Sequence, residues 1–154
     1  MKLSHIAIPY LATLAFIFGG ILNSGGIDWY HTLSLPVWNP SAGVIAFIWA
    51  IIYVCAAWSL LIVWDKTPHD KKFQLIMAGY AFSTLINLAW SIVFFHLHML
   101  GASVWCALVL GLSVLALMAL ISKRSPTATL LLVPYVLWVF FATYLNYVVS
   151  VLNP

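Results

Sequence analysis

Chemistry in this chain has to come from amides, hydroxyls and aromatic rings. Asn87 stands in the middle of the apolar stretch STLINLAWSIVFF. Ser83 precedes it by one helical turn, and Trp90 and Phe94 follow at i+3 and i+7. On a helix these four share one face. Trp49 and Tyr53 form an i, i+4 pair upstream. Trp138, Ala142 and Leu145 share a face near the C-terminus, one turn after Pro134. An amide or indole deep in an apolar medium needs a partner for its N–H. Asn87 therefore either staples two helices or contacts a ligand. Aromatic walls with one amide and one small residue suit a flat, apolar ring system, and Ala142 leaves room for it.

Other chemistries fail for lack of groups. No Asp, Glu, Lys or Arg lies inside the apolar runs, Lys72 standing at the very edge of one. That removes ion-coupled transport through charges at membrane depth, and it removes carboxylate acid–base catalysis. The three acids, Asp28, Asp65 and Asp70, fall in loops on two sides of the chain's membrane plan. His31, His96 and His98 share one side, but i, i+2 spacing does not bring two imidazoles together on a helix. Only Asp28 could join them, so no metal site is expected. They read as interfacial histidines, with haem-iron ligation by one of them as the functional alternative. Cys55 and Cys106 read as small apolar side chains in different spans. No conventional catalytic constellation is present, no bound cofactor is expected, and no nucleic-acid partner is expected.

The elements that must position these residues are membrane helices. Of the 154 residues, 65% are apolar and 6% charged, whereas a soluble domain carries about 25% charged residues. Runs long enough to span a bilayer fall at 3–23, 42–64, 72–96, 100–121 and 127–151. They are too long and too continuous for barrel strands. The expectation is an all-α integral membrane protein: one five-helix domain over residues 1–154 with a loop at 24–41. Five spans put the termini on opposite sides. Lys2, Lys66, Lys71, Lys72, Lys123 and Arg124 then all lie on the N-terminal side, which predicts N-terminus inside and C-terminus outside. Pro9 and Pro134 fall inside spans and are expected to kink them. An odd number of spans argues against an inverted-repeat transporter. The pairs Ala15/Gly19, Gly79/Ser83 and Ala107/Gly111 could serve a dimer face or packing within the chain.

The outer loop, GIDWYHTLSLPVWNPS at 26–41, is too aromatic and too stiff for a simple connector. With it, the motifs add up. The chain resembles the TspO/MBR family, the translocator proteins or peripheral-type benzodiazepine receptors. Trp29, Tyr30, Leu33, Pro36, Trp38 and Pro40 match W-Y-x-x-L-x-x-P-x-W-x-P. FIWAIIY carries Trp49 and Tyr53, and NLAWSIVFF carries Asn87, Trp90, Phe94 and Phe95. Pro134, Tyr135, Trp138, Phe141, Ala142, Leu145 and Asn146 match P-Y-x-x-W-x-x-F-A-x-x-L-N.

The resemblance implies a five-helix bundle, usually a homodimer, with a central pocket roofed by the first loop. It implies porphyrin ligands of the protoporphyrin IX or haem class, sterol-like lipids, and benzodiazepine-type synthetic compounds. The function expected is tetrapyrrole sensing, transport or disposal, in a bacterial plasma membrane. The alternatives are light-dependent porphyrin degradation, with Trp49 and Trp138 as the oxidisable groups, and sterol or lipid translocation. The ligand contacts expected are Tyr30, Trp38, Trp49, Tyr53, Ser83, Asn87, Trp90, Phe94, Trp138, Ala142 and Leu145. Two departures stand out. No basic residue follows Tyr147, which removes the end of the family's sterol-recognition segment. No acid stands early in the fourth span, in GASVWCALVLG.

Overall fold

A computed structural model describes residues 3–154. Lys2, one of the six basic residues, lies outside the described residues. The described chain is all helical: α1 (Ser4–Ser24), α2 (Ile27–Tyr30), α3 (Ala42–Lys66), α4 (Lys71–Phe95), α5 (Leu100–Ser122), α6 (Pro126–Leu130) and α7 (Val133–Leu152). Five segments are long and apolar enough to cross a membrane, the fifth being α6 and α7 together. The protein is an integral membrane protein.

Local chemistry sets the helix ends. Ser41, Asp70 and Ser125 each accept a backbone N–H three residues on, from Val44, Phe73 and Ala128, and so start α3, α4 and α6. Pro9 lies inside an uninterrupted α1. Pro134 behaves otherwise than expected. It does not kink a continuous span; it stands in the first turn of α7, where its missing N–H is tolerated, after a break at Leu131–Leu132. The fifth span is thus a short helix, a turn and a long helix.

The tightest packing lies toward the end that carries the described basic residues. Val63 of α3, Ile76 of α4, Val114 and Ile121 of α5, and Ala128 and Leu132 of the fifth span are all fully buried there. Hydroxyls tie the same region: Tyr80 bonds Ser59 Oγ at 2.6 Å, and Ser59 donates to the Ala128 carbonyl at 2.6 Å. Arg124 holds Asp70 at 2.5 Å across that end, and His5 pairs with Asp65 between α1 and α3. The glycines of the three small-residue pairs meet side chains of this chain. Gly79 lies against Leu117, Gly111 against Phe140 and Gly19 near Leu88.

α5 buries seven residues, including Gly111 and Val114, whereas α1 buries Ile8 alone. The first helix is therefore the loosest wall of the bundle. The end opposite the basic residues is built of aromatic rings and closed by the first loop.

Candidate functional site

The lid loop, 25–41, is anchored at five places. α2 turns it over the end of α4. Gly26 lies against the Phe95 backbone with no room for a side chain. Trp29 stacks on His98 with ring centroids 3.9 Å apart and meets Phe94 edge-on at 5.6 Å. His98 accepts a positive φ of 53° to present its ring there. Tyr30 lies against Phe94 and Phe95, and its hydroxyl donates to Asn39 Oδ1 at 3.2 Å. Burial raises the Tyr30 phenol above its ordinary pKa, and the Asn39 bond offsets part of that. Asn153 mimics a peptide group: its Oδ1 accepts the Ser34 N–H at 2.9 Å and its Nδ2 donates to the Ser34 carbonyl at 3.0 Å. Trp38 stacks on Tyr144 at 5.7 Å and meets Phe141 edge-on. His96 adds a tie from α4 to α1, donating through Nε2 to the Leu22 carbonyl at 2.8 Å.

Beneath the lid the expected residues fall into three groups. Tyr30, Phe94 and Trp90 form a continuous chain of ring contacts, Trp90 stacked on Phe94 at 5.2 Å and Tyr30 tilted against it at 6.1 Å. Trp138 stacks on Phe141, which carries the contact on to Trp38. Trp49 lies against Tyr53 and Tyr135, and Asn87 Nδ2 donates to Tyr53 Oη at 3.1 Å. Among the described residues no ring contact joins Trp49 to Trp138. Leu145 is buried and Ala142 half-buried.

Two of the expected residues on α4 are already bonded to neighbouring helices. Asn87 ties α4 to α3 through Tyr53. Ser83 is bonded across α4 and α5 to Ser113 Oγ at 2.9 Å. Both therefore serve helix–helix contacts, and Ser83 also borders interior space.

Among the described residues the buried side-chain polar atoms that lack a partner are Trp90 Nε1, Trp138 Nε1, Asn146 Nδ2 and Asn23 Oδ1. Three of the four are donors. Each costs about 1–3 kcal/mol while it stays unsatisfied. No Lys or Arg accompanies them, because every described basic residue lies at the other end. The lid end is thus rich in aromatic surface and in idle N–H donors, without a cation. Among the described residues no group of three His, Cys, Asp or Glu side chains could hold a metal.

A cavity of about 430 Å³ opens deeper in the bundle, on the basic-end side of Asn87. Tyr53 and Ser83 border it, together with Tyr80, Tyr135 and several alanines of α1, α3 and α4. Trp138, Ala142 and the lid residues do not.

Sequence reasoning missed several contributors. Asn146 and Tyr135 stood in the quoted motif but were not nominated. His98 was read only as an interfacial histidine or haem ligand, and Asn153 carried no signal, since a stacking ring and a peptide mimic are recognised only by what they touch.

Comparison with known proteins agrees with this architecture. The TspO/MBR family matches residues 6–152. The chain is 32% identical to the tryptophan-rich protein TspO of Chlorobaculum tepidum over 128 residues, covering 82% of this chain and 81% of that one. It is 31% identical to protein CrtK of Rhodobacter capsulatus, covering 100% of this chain and 96% of the relative. It is 31% identical to the translocator protein of Ovis aries, covering 92% and 90%. A five-helix apolar bundle with an aromatic lid, matched from the first span to the last, places the chain in the TspO/MBR family.

Proposed function

We propose that this protein binds porphyrin-class ring systems beneath the lid and serves tetrapyrrole sensing, transport or disposal. The observation that carries the reading is the set of idle donors among rings: Trp90 Nε1, Trp138 Nε1 and Asn146 Nδ2. A flat tetrapyrrole offers apolar faces for Trp49, Trp90, Trp138 and Phe94, and carboxylate or pyrrole acceptors for the N–H groups. Ligand binding would satisfy donors that folding leaves unpaired, and that gain would appear as affinity. The lid supplies the roof at little entropic cost, because Pro36 and Pro40 stiffen it and Asn153 already holds it. The basic end faces the cytoplasm of a bacterial plasma membrane in this reading, with the lid outside. A homodimer, and sterol-like or benzodiazepine-type ligands, belong to the same proposal by family membership.

Light-dependent porphyrin consumption is the second reading. It is favoured by the ring path Trp138–Phe141–Trp38, which runs from a half-buried indole to the half-exposed lid. Indole is the most readily oxidised ring in the site. One experiment tests both. Protoporphyrin IX is titrated into the purified protein in the dark, then the saturated complex is illuminated. A saturable Soret shift supports binding, and a non-saturable shift refutes it. Bleaching that slows in Trp49→Phe/Trp138→Phe at equal occupancy supports the photochemical role. Equal bleaching rates make the two tryptophans walls only.

A further inference from the structure

We propose that the deeper cavity is a second binding site, open sideways to the membrane, that takes a neutral quinone-type ring by its carbonyl oxygens. It goes beyond the lid-end reading and does not depend on it. The cavity of about 430 Å³ arises where α1 stands away from the bundle. Ala12 and Ala15 of α1 face Ala56 and Ala57 of α3 across it, and these short side chains leave a slot. Leu11 and Leu85 border it yet are 62% and 64% exposed, which puts its mouth between α1 and α4, toward lipid. No charged residue lines it. A phospholipid headgroup or an ionised porphyrin carboxylate would therefore be desolvated there without a partner.

The hydroxyls decide what the site selects. Three of them have spent their protons. Ser113 donates to the Leu110 carbonyl at 2.7 Å, so Ser83 donates to Ser113. Thr84 donates to the Tyr80 carbonyl at 2.9 Å. Ser59 donates to the Ala128 carbonyl at 2.6 Å, so Tyr80 donates to Ser59. Two remain. Tyr53 Oη accepts from Asn87 and keeps its own proton. The Tyr135 hydroxyl has no hydrogen bond to any described residue, and it lines the cavity. Two phenol donors in an uncharged, apolar slot call for a ligand that only accepts. A quinone ring has two carbonyl acceptors, no donor and no charge, and it resides in the hydrocarbon core where the mouth opens. Its alkyl or isoprenoid tail would leave between Leu11 and Leu85. An ester carbonyl of a diacylglycerol shares the acceptor chemistry but is bulkier at the reacting end.

The test uses the full chain in phosphatidylcholine nanodiscs. A benzoquinone with a diazirine-tagged decyl tail is photolysed, and unlabelled decylbenzoquinone or dioleoylglycerol competes. Expected are saturable labels on residues 8–15 and 77–85, displaced by the quinone and not by the diacylglycerol. Tyr135→Phe keeps the ring and removes the donor, so roughly tenfold more quinone should be needed. Ala81→Leu fills the exposed mouth; it should abolish specific labelling while the protoporphyrin titration stays as in the parent. Non-saturable labelling, labels on the lid, or unchanged competition in Tyr135→Phe would overturn the site. Displacement by diacylglycerol instead would overturn the quinone assignment. Equal loss of porphyrin and quinone in Ala81→Leu would show one continuous pocket and overturn the second site.

Discussion

Replacing Trp138 by Phe separates a ligand-binding indole from a packing one, because the two roles predict opposite outcomes. The Trp138 Nε1 is buried without a partner, and its ring stacks on Phe141 at 5.2 Å. Phe keeps a ring in that stack. The variant loses the area of the missing ring atoms, which costs about 1–2 kcal/mol of stability. It also removes an unsatisfied buried donor, which returns about 1–3 kcal/mol. The two nearly cancel, so the melting temperature of the unliganded protein should move by only a few degrees. In the complex the N–H would be paired with the ligand, so its removal should cost about 0.5–1.5 kcal/mol of affinity, roughly two- to twelvefold in Kd. The assay is a protoporphyrin IX titration followed by Soret absorbance, paired with thermal unfolding of both proteins without ligand. A large fall in melting temperature with unchanged affinity per folded molecule would refute the reasoning and leave Trp138 as packing alone.

Ala142→Leu adds bulk on the Trp138 face, so it should weaken porphyrin binding at least tenfold by overpacking, read from the same titration. Unchanged curves would place Ala142 outside the pocket. Asn153→Ala removes both bonds to Ser34, so amide exchange at Ser34 should quicken roughly fivefold or more while the bundle's exchange stays the same. Arg124 and the Phe73 N–H hold the Asp70 carboxyl down to about 2 from 3.8. A lowered folded-state pKa gives stability that is complete above about pH 4 and is lost as pH falls toward 2. The melting-temperature gap between parent and Asp70→Asn should therefore narrow across that window, and a gap constant with pH would refute it.

Much of this protein was written in its hydropathy. A bilayer admits few ways to satisfy a backbone, so long apolar runs can only be helices. The spans read at 42–64 and 72–96 end within two residues of α3 and α4, because Ser41 and Asp70 cap them locally. The aromatic lid and the family were legible too, since both rest on residue types at fixed spacing. Periodicity also put Asn87, Trp90 and Phe94 on one face. It could not tell which of them would be spent on the protein itself. Asn87 turned out bonded to Tyr53 and Ser83 to Ser113, while Trp90, Trp138 and Asn146 were left with idle donors. Those outcomes depend on distances between helices, which no single helix encodes. The same holds for Pro134, which begins a helix instead of bending one, because the chain turns at Leu131–Leu132, whose N–H groups bond the Thr127 and Thr129 carbonyls. It holds most of all for the inner cavity. Alanines at 12, 15, 56 and 57 look like ordinary packing residues in the sequence. Only the stand-off of α1 from its neighbours turns their missing volume into a chamber, and only the fold shows which phenols face it with protons to give.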